Sequence, residues 1–238
     1  MVETRSLGEI LKAAVLAGLL AGLAAAGFHW IFTEPLIDRA VAMEEHAHES
    51  SGAFHTEPVV GRPVQKLGLF IGFLFYGGAW GILFGLLAYA IRPWFADMGR
   101  QGFFLSVLLG WAVAIFPLLK YPANPPGVGA AETIGYRQEL FLVFIALSLI
   151  GTFAALGVER SFRRSSRARV VVLVIYLIYL VVIFLAMPFN PEEVRLPAGL
   201  VRKFRILSLL GQLLFWTTMG GAFCWLRGRF SRTVPALE

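Results

Sequence analysis

The sequence predicts an all-α fold, a polytopic transmembrane helix bundle with about six spanning helices. Of the 238 residues, 58% are hydrophobic and 15% are charged, whereas an average soluble domain has about 45–50% and about 25%. The mean hydropathy of +0.72 points the same way. The apolar residues form continuous runs of about 20, long enough to cross a hydrocarbon core of about 30 Å. Continuous rather than alternating runs favour helices over a closed barrel.

Six such runs make up a single integral membrane domain without an evident internal repeat. The predicted spans cover about 10–32, 64–91, 102–119, 139–158, 170–187 and 204–226. Cys224, in the last run, is the single cysteine. It therefore cannot form an intrachain disulfide.

The first span carries small residues four apart on one helix face: Ala14, Gly18, Gly22 and Ala26. This spacing lets helices approach closely. A cleaved signal peptide is the alternative, with an A-x-A-like site at 24–26. We favour a retained helix because the apolar run continues to Phe32.

A polar, acidic stretch follows from Thr33 to Lys66 and contains three of the four histidines. Pro35 suits the first turn of a helix. A short helix is therefore expected from about Leu36 to Glu49. Together, residues 34–63 form the acidic and histidine-containing segment that we place on the outer side.

The remaining spans are separated by distinctive linkers. The second span has a four-spaced glycine face at Gly77, Gly81 and Gly85, which favours a packing seam over a substrate path. The run Asn124-Pro125-Pro126-Gly127 cannot lie inside a helix and predicts a fixed turn. A strongly basic linker occupies 159–169.

The charges of the linkers predict the orientation. Six spans place both termini on one side, where Lys and Arg number 12 against 9 on the other side. The positive-inside rule then favours cytoplasmic termini. The acidic segment and the proline turn would share the outer face.

The acidic segment has the residue types of a metal site. On a helix, Glu44 and His48 are four apart, and Glu45 and His48 are three apart, so they are neighbours. Imidazole and carboxylate together suit borderline divalent metals. The site hypothesis is Glu44, Glu45, His46 and His48, with His29, Glu34 and His55 as possible additions. The alternative is an ordinary solvated, charged helix.

His29 lies near the end of the first span. An ionisable residue within a span is a functional candidate, because its burial costs energy without a partner. An interfacial anchor is the equally weighted alternative.

The sequence lacks the motifs of several enzyme classes. The chain has no G-x-x-x-x-G-K-[ST], no H-E-x-x-H and no G-x-S-x-G. The net charge of +6 comes without an aromatic-basic module, so it indicates span flanks rather than nucleic-acid binding. Neither an enzyme nor a covalently bound cofactor is expected.

Two segments resemble the CbtA family of predicted cobalt transporter subunits. They are AGLLAGLAAAGFHWIFTEPLIDRAVAMEEHAH and LLKYPANPPGVGAAETIGYR. The resemblance implies metal uptake linked to cobalamin metabolism, with Co²⁺ as the expected substrate. It also implies a small histidine-containing membrane partner, CbtB, and a bacterial inner-membrane location. In the second segment it marks these positions: Lys120, Tyr121, Pro122, Asn124, Pro125, Pro126, Glu132 and Thr133.

Three functions therefore compete. The first is a subunit of a divalent-metal permease, and the second is a non-transporting scaffold or assembly factor. The third is a membrane enzyme or electron-transfer subunit, for which the sequence supplies no catalytic set.

Overall fold

A computed structural model describes residues 6–50, 61–94, 98–162, 165–191, 194 and 196–230 of the chain. The first helices are α1 (Leu7–Phe32), α2 (Glu34–Ser50) and α3 (Arg62–Ile91). They are followed by α4 (Met98–Gly110) and α5 (Phe116–Lys120), joined by the π-helical turn Trp111–Ile115. The last three are α6 (Ile134–Ser161), α7 (Ser166–Ala186) and α8 (Ala198–Phe230).

The predicted helical bundle is confirmed, and the described residues include six helices long and apolar enough to cross a membrane. They cover Leu7–Phe32, Arg62–Ile91, Gln101–Lys120, Ile134–Ser161, Ser166–Ala186 and Ala198–Arg229. The largest differences are at the starts of the fourth and sixth spans, which begin before the predicted residues. In both spans, helical hydrogen bonding begins several residues before the apolar run that defined the predicted start.

The predicted short helix after the first span is also present, although it starts two residues before the predicted Leu36. Thr33 separates α1 from α2, and its carbonyl accepts the amides of Leu36 and Ile37 at 3.0 and 3.1 Å. Pro35 lies in the first turn of α2, where its missing amide costs no helical hydrogen bond.

The π-helical turn has a cause in the sequence. Pro117 follows it and cannot donate to the carbonyl four residues before it, while its ring crowds that carbonyl. Widening the helix over Trp111–Ile115 relieves this conflict, and such insertions bend a helix without ending it.

The chain divides into two compact units. The first, called unit 1, contains Met1–Val107 and Ile206–Glu238; the second, unit 2, contains Leu108–Arg205. Unit 1 is organised around α1 and α3. Unit 2 is organised around an aromatic core of Phe116, Tyr121 and Phe144, with Leu140, Leu180 and Ile183.

The glycine faces form the α1–α3 seam, as the four-residue spacing predicts. A Cβ atom on Gly18 would overlap the Gly77 carbonyl oxygen, and one on Gly77 would overlap the Gly18 carbonyl oxygen. At Gly81, an added Cβ would lie 2.7 Å from the Ala14 carbonyl oxygen. The two backbones are therefore in direct contact, which close van der Waals packing in lipid requires.

Candidate functional site

Ion pairs join the base of α2 to the start of α3 in unit 1. Arg62 Nη2 lies 2.8 Å from Glu34 Oε2 and 2.6 Å from Asp38 Oδ1. Lys66 Nζ lies 2.8 Å from Asp38 Oδ2 and 4.0 Å from Glu34 Oε2. Glu34 and Asp38 are four apart on α2, as Arg62 and Lys66 are on α3, so each pair presents one helix flank to the other.

This network gives Glu34 a structural partner. Glu34 is only 6% exposed, so its carboxylate depends on Arg62 to compensate for the hydration that it loses on burial. Asp38 is more open, and hydrogen bonds from Lys66 and then from Arg62 hold its pKa below the ordinary value. The network fixes the direction in which α2 leaves the span.

The predicted capture residues lie further along α2. Glu44, Glu45 and His46 are all exposed. His48 follows in the same helix, and His55 lies outside the described residues. Among the residues that the structure describes, no group of three His, Cys, Asp or Glu side chains is placed to hold a metal ion. The exposed part of α2 thus supplies ligand types without a complete coordination sphere.

His29 lies in the last turns of α1, between α3 and α8. Its Nδ1 is 2.8 Å from Thr33 Oγ1, and its ring stacks on Phe73 of α3 with centroids 5.1 Å apart. A Cβ on Gly211 of α8 would overlap His29 Nε2. The imidazole is therefore held from three sides within unit 1.

The proline turn of unit 2 is fixed by side-chain hydrogen bonds. The Tyr121 hydroxyl donates to the Pro188 carbonyl oxygen at 2.8 Å. Arg205 donates to Asn124 Oδ1 through Nε at 3.1 Å and through Nη2 at 2.7 Å. Thr133 Oγ1 donates to the Ala130 carbonyl oxygen at 2.9 Å. These bonds confirm the expected fixed turn.

The rest of the turn follows from its residue types. Pro122, Pro125 and Pro126 keep this stretch out of a helix, and Gly127 and Gly129 adopt positive φ angles of 80° and 88°. Glu132 is exposed in the short 3₁₀ turn before α6. Among these motif residues, Pro126 and Glu132 are exposed, and Glu132 is the charged one of the two.

Lys120 ends α5 as a buried cation, only 6% exposed. Its Nζ lies 4.0 Å from the Phe189 ring centroid and 5.1 Å from that of Phe184. No hydrogen-bond acceptor reaches Nζ among the described residues. Among the described residues, the negative faces of these aromatic rings therefore stabilise the buried charge.

The partners of these groups were not predicted from the sequence. Arg62, Lys66 and Arg205 were among the nine Lys and Arg counted on the side opposite the termini. A usable signal was present for the first pair, since two cations four apart open α3 and two acids four apart open α2. The Asn124–Arg205 pair spans 81 positions and leaves no local pattern.

Together, the six apolar helices and the polar groups at their ends define a multi-pass α-helical membrane protein. The family model of CbtA, described as a probable cobalt transporter subunit, matches residues 7–228. The chain therefore belongs to the CbtA family, as the resemblance of its two segments predicted. Comparison with curated proteins and with solved structures finds no match.

Proposed function

We propose that the chain is the membrane subunit of a divalent-metal uptake transporter, with Co²⁺ as substrate and a link to cobalamin metabolism. The family match over residues 7–228 carries this proposal. The exposed Glu44, Glu45 and His46 on α2 support it, because carboxylate and imidazole are ligands for borderline divalent metals.

In this proposal, α2 is the outer capture helix. The ion pairs at Glu34 and Asp38 hold its base, so the exposed residues stand away from the span. A helix flank with two or three ligands leaves most of a coordination sphere to water or to another chain. We propose that a small histidine-containing partner, similar to CbtB, supplies the missing ligands.

Metal accumulation in cells tests the capture role. Replacing His46 and His48 together by Ala should lower Co²⁺ uptake at limiting metal by about tenfold, the scale on which losing a ligand-shell residue acts. Met43→Leu is the matched control, because Met43 is exposed on the same helix. Cells lacking the chain should also lose uptake. Equal accumulation in cells with and without the chain would instead favour the scaffold.

The proposed location is the bacterial inner membrane, with both termini in the cytoplasm. The test introduces one cysteine at Ser51 or at Ser166 after Cys224 is replaced by Ala. A membrane-impermeant thiol reagent should label position 51 in intact cells and reach position 166 only after permeabilisation. The reverse pattern would overturn the orientation and place α2 in the cytoplasm.

A further inference from the structure

We propose that unit 1 contains a second, intramembrane metal-transfer site, formed by His29 Nε2 with the side-chain oxygen of Gln212. The inference rests on the proposed function, since it assigns a step that follows capture on α2. Its ligand would be a borderline divalent cation such as Co²⁺, carried with part of its water shell.

The orientation of the imidazole is the first observation. The contact of Nδ1 with Thr33 Oγ1 at 2.8 Å fixes the ring and occupies one nitrogen. Metal-binding histidines are commonly held in this way by an oxygen on their other nitrogen. Within the described ranges Nε2 makes no hydrogen bond. In the tautomer in which Nδ1–H donates to Thr33 Oγ1, the lone pair of Nε2 is available to a metal ion.

The position of the imidazole ring favours a metal ligand over an interfacial anchor. An anchor would direct its polar edge towards the lipid headgroups. Instead, the ring lies between Phe73 of α3 and the backbone of Gly211 on α8. Any side chain at position 211 would displace Nε2, so glycine there makes room for this nitrogen.

A second buried polar group belongs to the next residue of α8. Gln212 follows Gly211 on α8, and its Oε1 is buried without a hydrogen-bond donor among the described residues. The Gln212 side chain also forms a hydrogen bond with Tyr76, whose ring lies 6.3 Å from that of Phe73 between centroids. A buried amide oxygen without a donor costs about 1–3 kcal/mol, which a passing cation would recover.

The donor set suits transfer better than storage. Imidazole nitrogen and neutral oxygens are acceptable to Co²⁺ and similar metals. No carboxylate belongs to the proposed set, so binding would be weak. Conduction requires such weakness, because a cation that is held tightly does not leave.

The chain allows His29 to be observed alone. Replacing His46, His48 and His55 by Gln leaves His29 as the remaining one of four histidines. In the purified full-length variant in lipid nanodiscs, with ¹⁵N-labelled histidine, cobalt chloride should shift or broaden the imidazole signals. Magnesium chloride should not, because Mg²⁺ prefers oxygen ligands and keeps its water.

Two α8 variants in this background show whether the geometry matters. Gly211→Ala should abolish the cobalt effect because the new Cβ displaces Nε2. Gly221→Ala is the matched control, since a Cβ there meets nothing within 4 Å, and it should keep the effect. If cobalt chloride does not change the imidazole signals of the folded variant, the proposed site is rejected. An equal response in Gly211→Ala and Gly221→Ala would also reject it.

Uptake kinetics separate this inference from the proposed function. His29→Gln in the otherwise unchanged chain should lower the maximal Co²⁺ uptake rate by at least about tenfold. The half-saturating concentration should change less than the rate. Normal maximal uptake by folded His29→Gln would reject the transfer site while leaving the capture helix intact. Failure of the unchanged chain to raise uptake would instead reject the transporter function itself.

Discussion

Replacing Gly77 by Ala tests whether the α1–α3 seam holds unit 1 together. The new Cβ would overlap the Gly18 carbonyl oxygen and lie 2.9 Å from its carbonyl carbon and 3.2 Å from Gly22 Cα. All three are backbone atoms, so no side-chain rotation relieves the conflict. Restoring ordinary contact requires the helices to separate by about 1 Å, which forfeits about a quarter to a half of the dispersion attraction at the affected contacts.

The expected loss follows from two opposing terms. Overpacking of this kind costs about 1–3 kcal/mol, while Gly to Ala in a helix returns up to about 1 kcal/mol. The free energy of unfolding should therefore fall by up to about 2 kcal/mol. Gly72→Ala is the matched control in the same helix, because a Cβ there meets nothing within 4 Å; it should be neutral or stabilising.

The assay is unfolding of the purified chain in a mild detergent as a denaturing detergent is added. Six tryptophans report the transition through their fluorescence. Gly77→Ala should unfold at a lower fraction of denaturing detergent than Gly72→Ala. If the two variants unfold together, or if Gly77→Ala is the more stable, the close seam does not stabilise unit 1.

Two further predictions concern charged groups. Acid should release the base of α2: the pKa of Asp38 is depressed in the folded chain, so the stabilisation is present above its ordinary value of 3.8 and is lost as pH falls through the lower folded value. The protection factors of the α2 amides, which are corrected for the intrinsic pH dependence of exchange, should fall over that range, and Asp38→Asn should remove this change; pH-independent protection factors in the unchanged chain would contradict the anchor. In unit 2, Lys120→Met should leave the unfolding temperature unchanged or raise it, because it removes a buried ammonium without a hydrogen-bond acceptor among the described residues. We expect Co²⁺ uptake to fall in the same variant, and unchanged uptake would remove Lys120 from the candidate site.

The spans and the helix faces that pack closely could be predicted because both follow from local patterns. A run of about 20 apolar residues has few stable arrangements in lipid besides a helix. Small residues repeated every four positions on α1 and α3 indicate where two backbones can touch. Gly18 and Gly77 each lie on such a face, which the sequence of its own helix indicates. The structure shows that the two faces meet.

The polar partners could not be predicted from local patterns, because they depend on which helix ends meet. Glu34 and Arg62 are 28 positions apart, and Asn124 and Arg205 are 81 apart. Periodicity within one helix does not identify the facing helix. Lys120 shows the same limit, since its aromatic neighbours at Phe184 and Phe189 come from a distant part of unit 2.

The charge balance at the base of α2 has a consequence for the proposed route. Glu34 and Asp38 lie in the chain between the exposed ligands of α2 and His29. Unneutralised, two carboxylates at this position would hold a divalent cation strongly, because attraction grows as water is excluded. Arg62 and Lys66 balance both charges through the ion pairs, which leaves no net negative charge within that network. If α2 captures a cation as proposed, that cation would meet no deeper electrostatic well at this network, and the proposed neutral ligands around His29 would bind it weakly enough to let it pass.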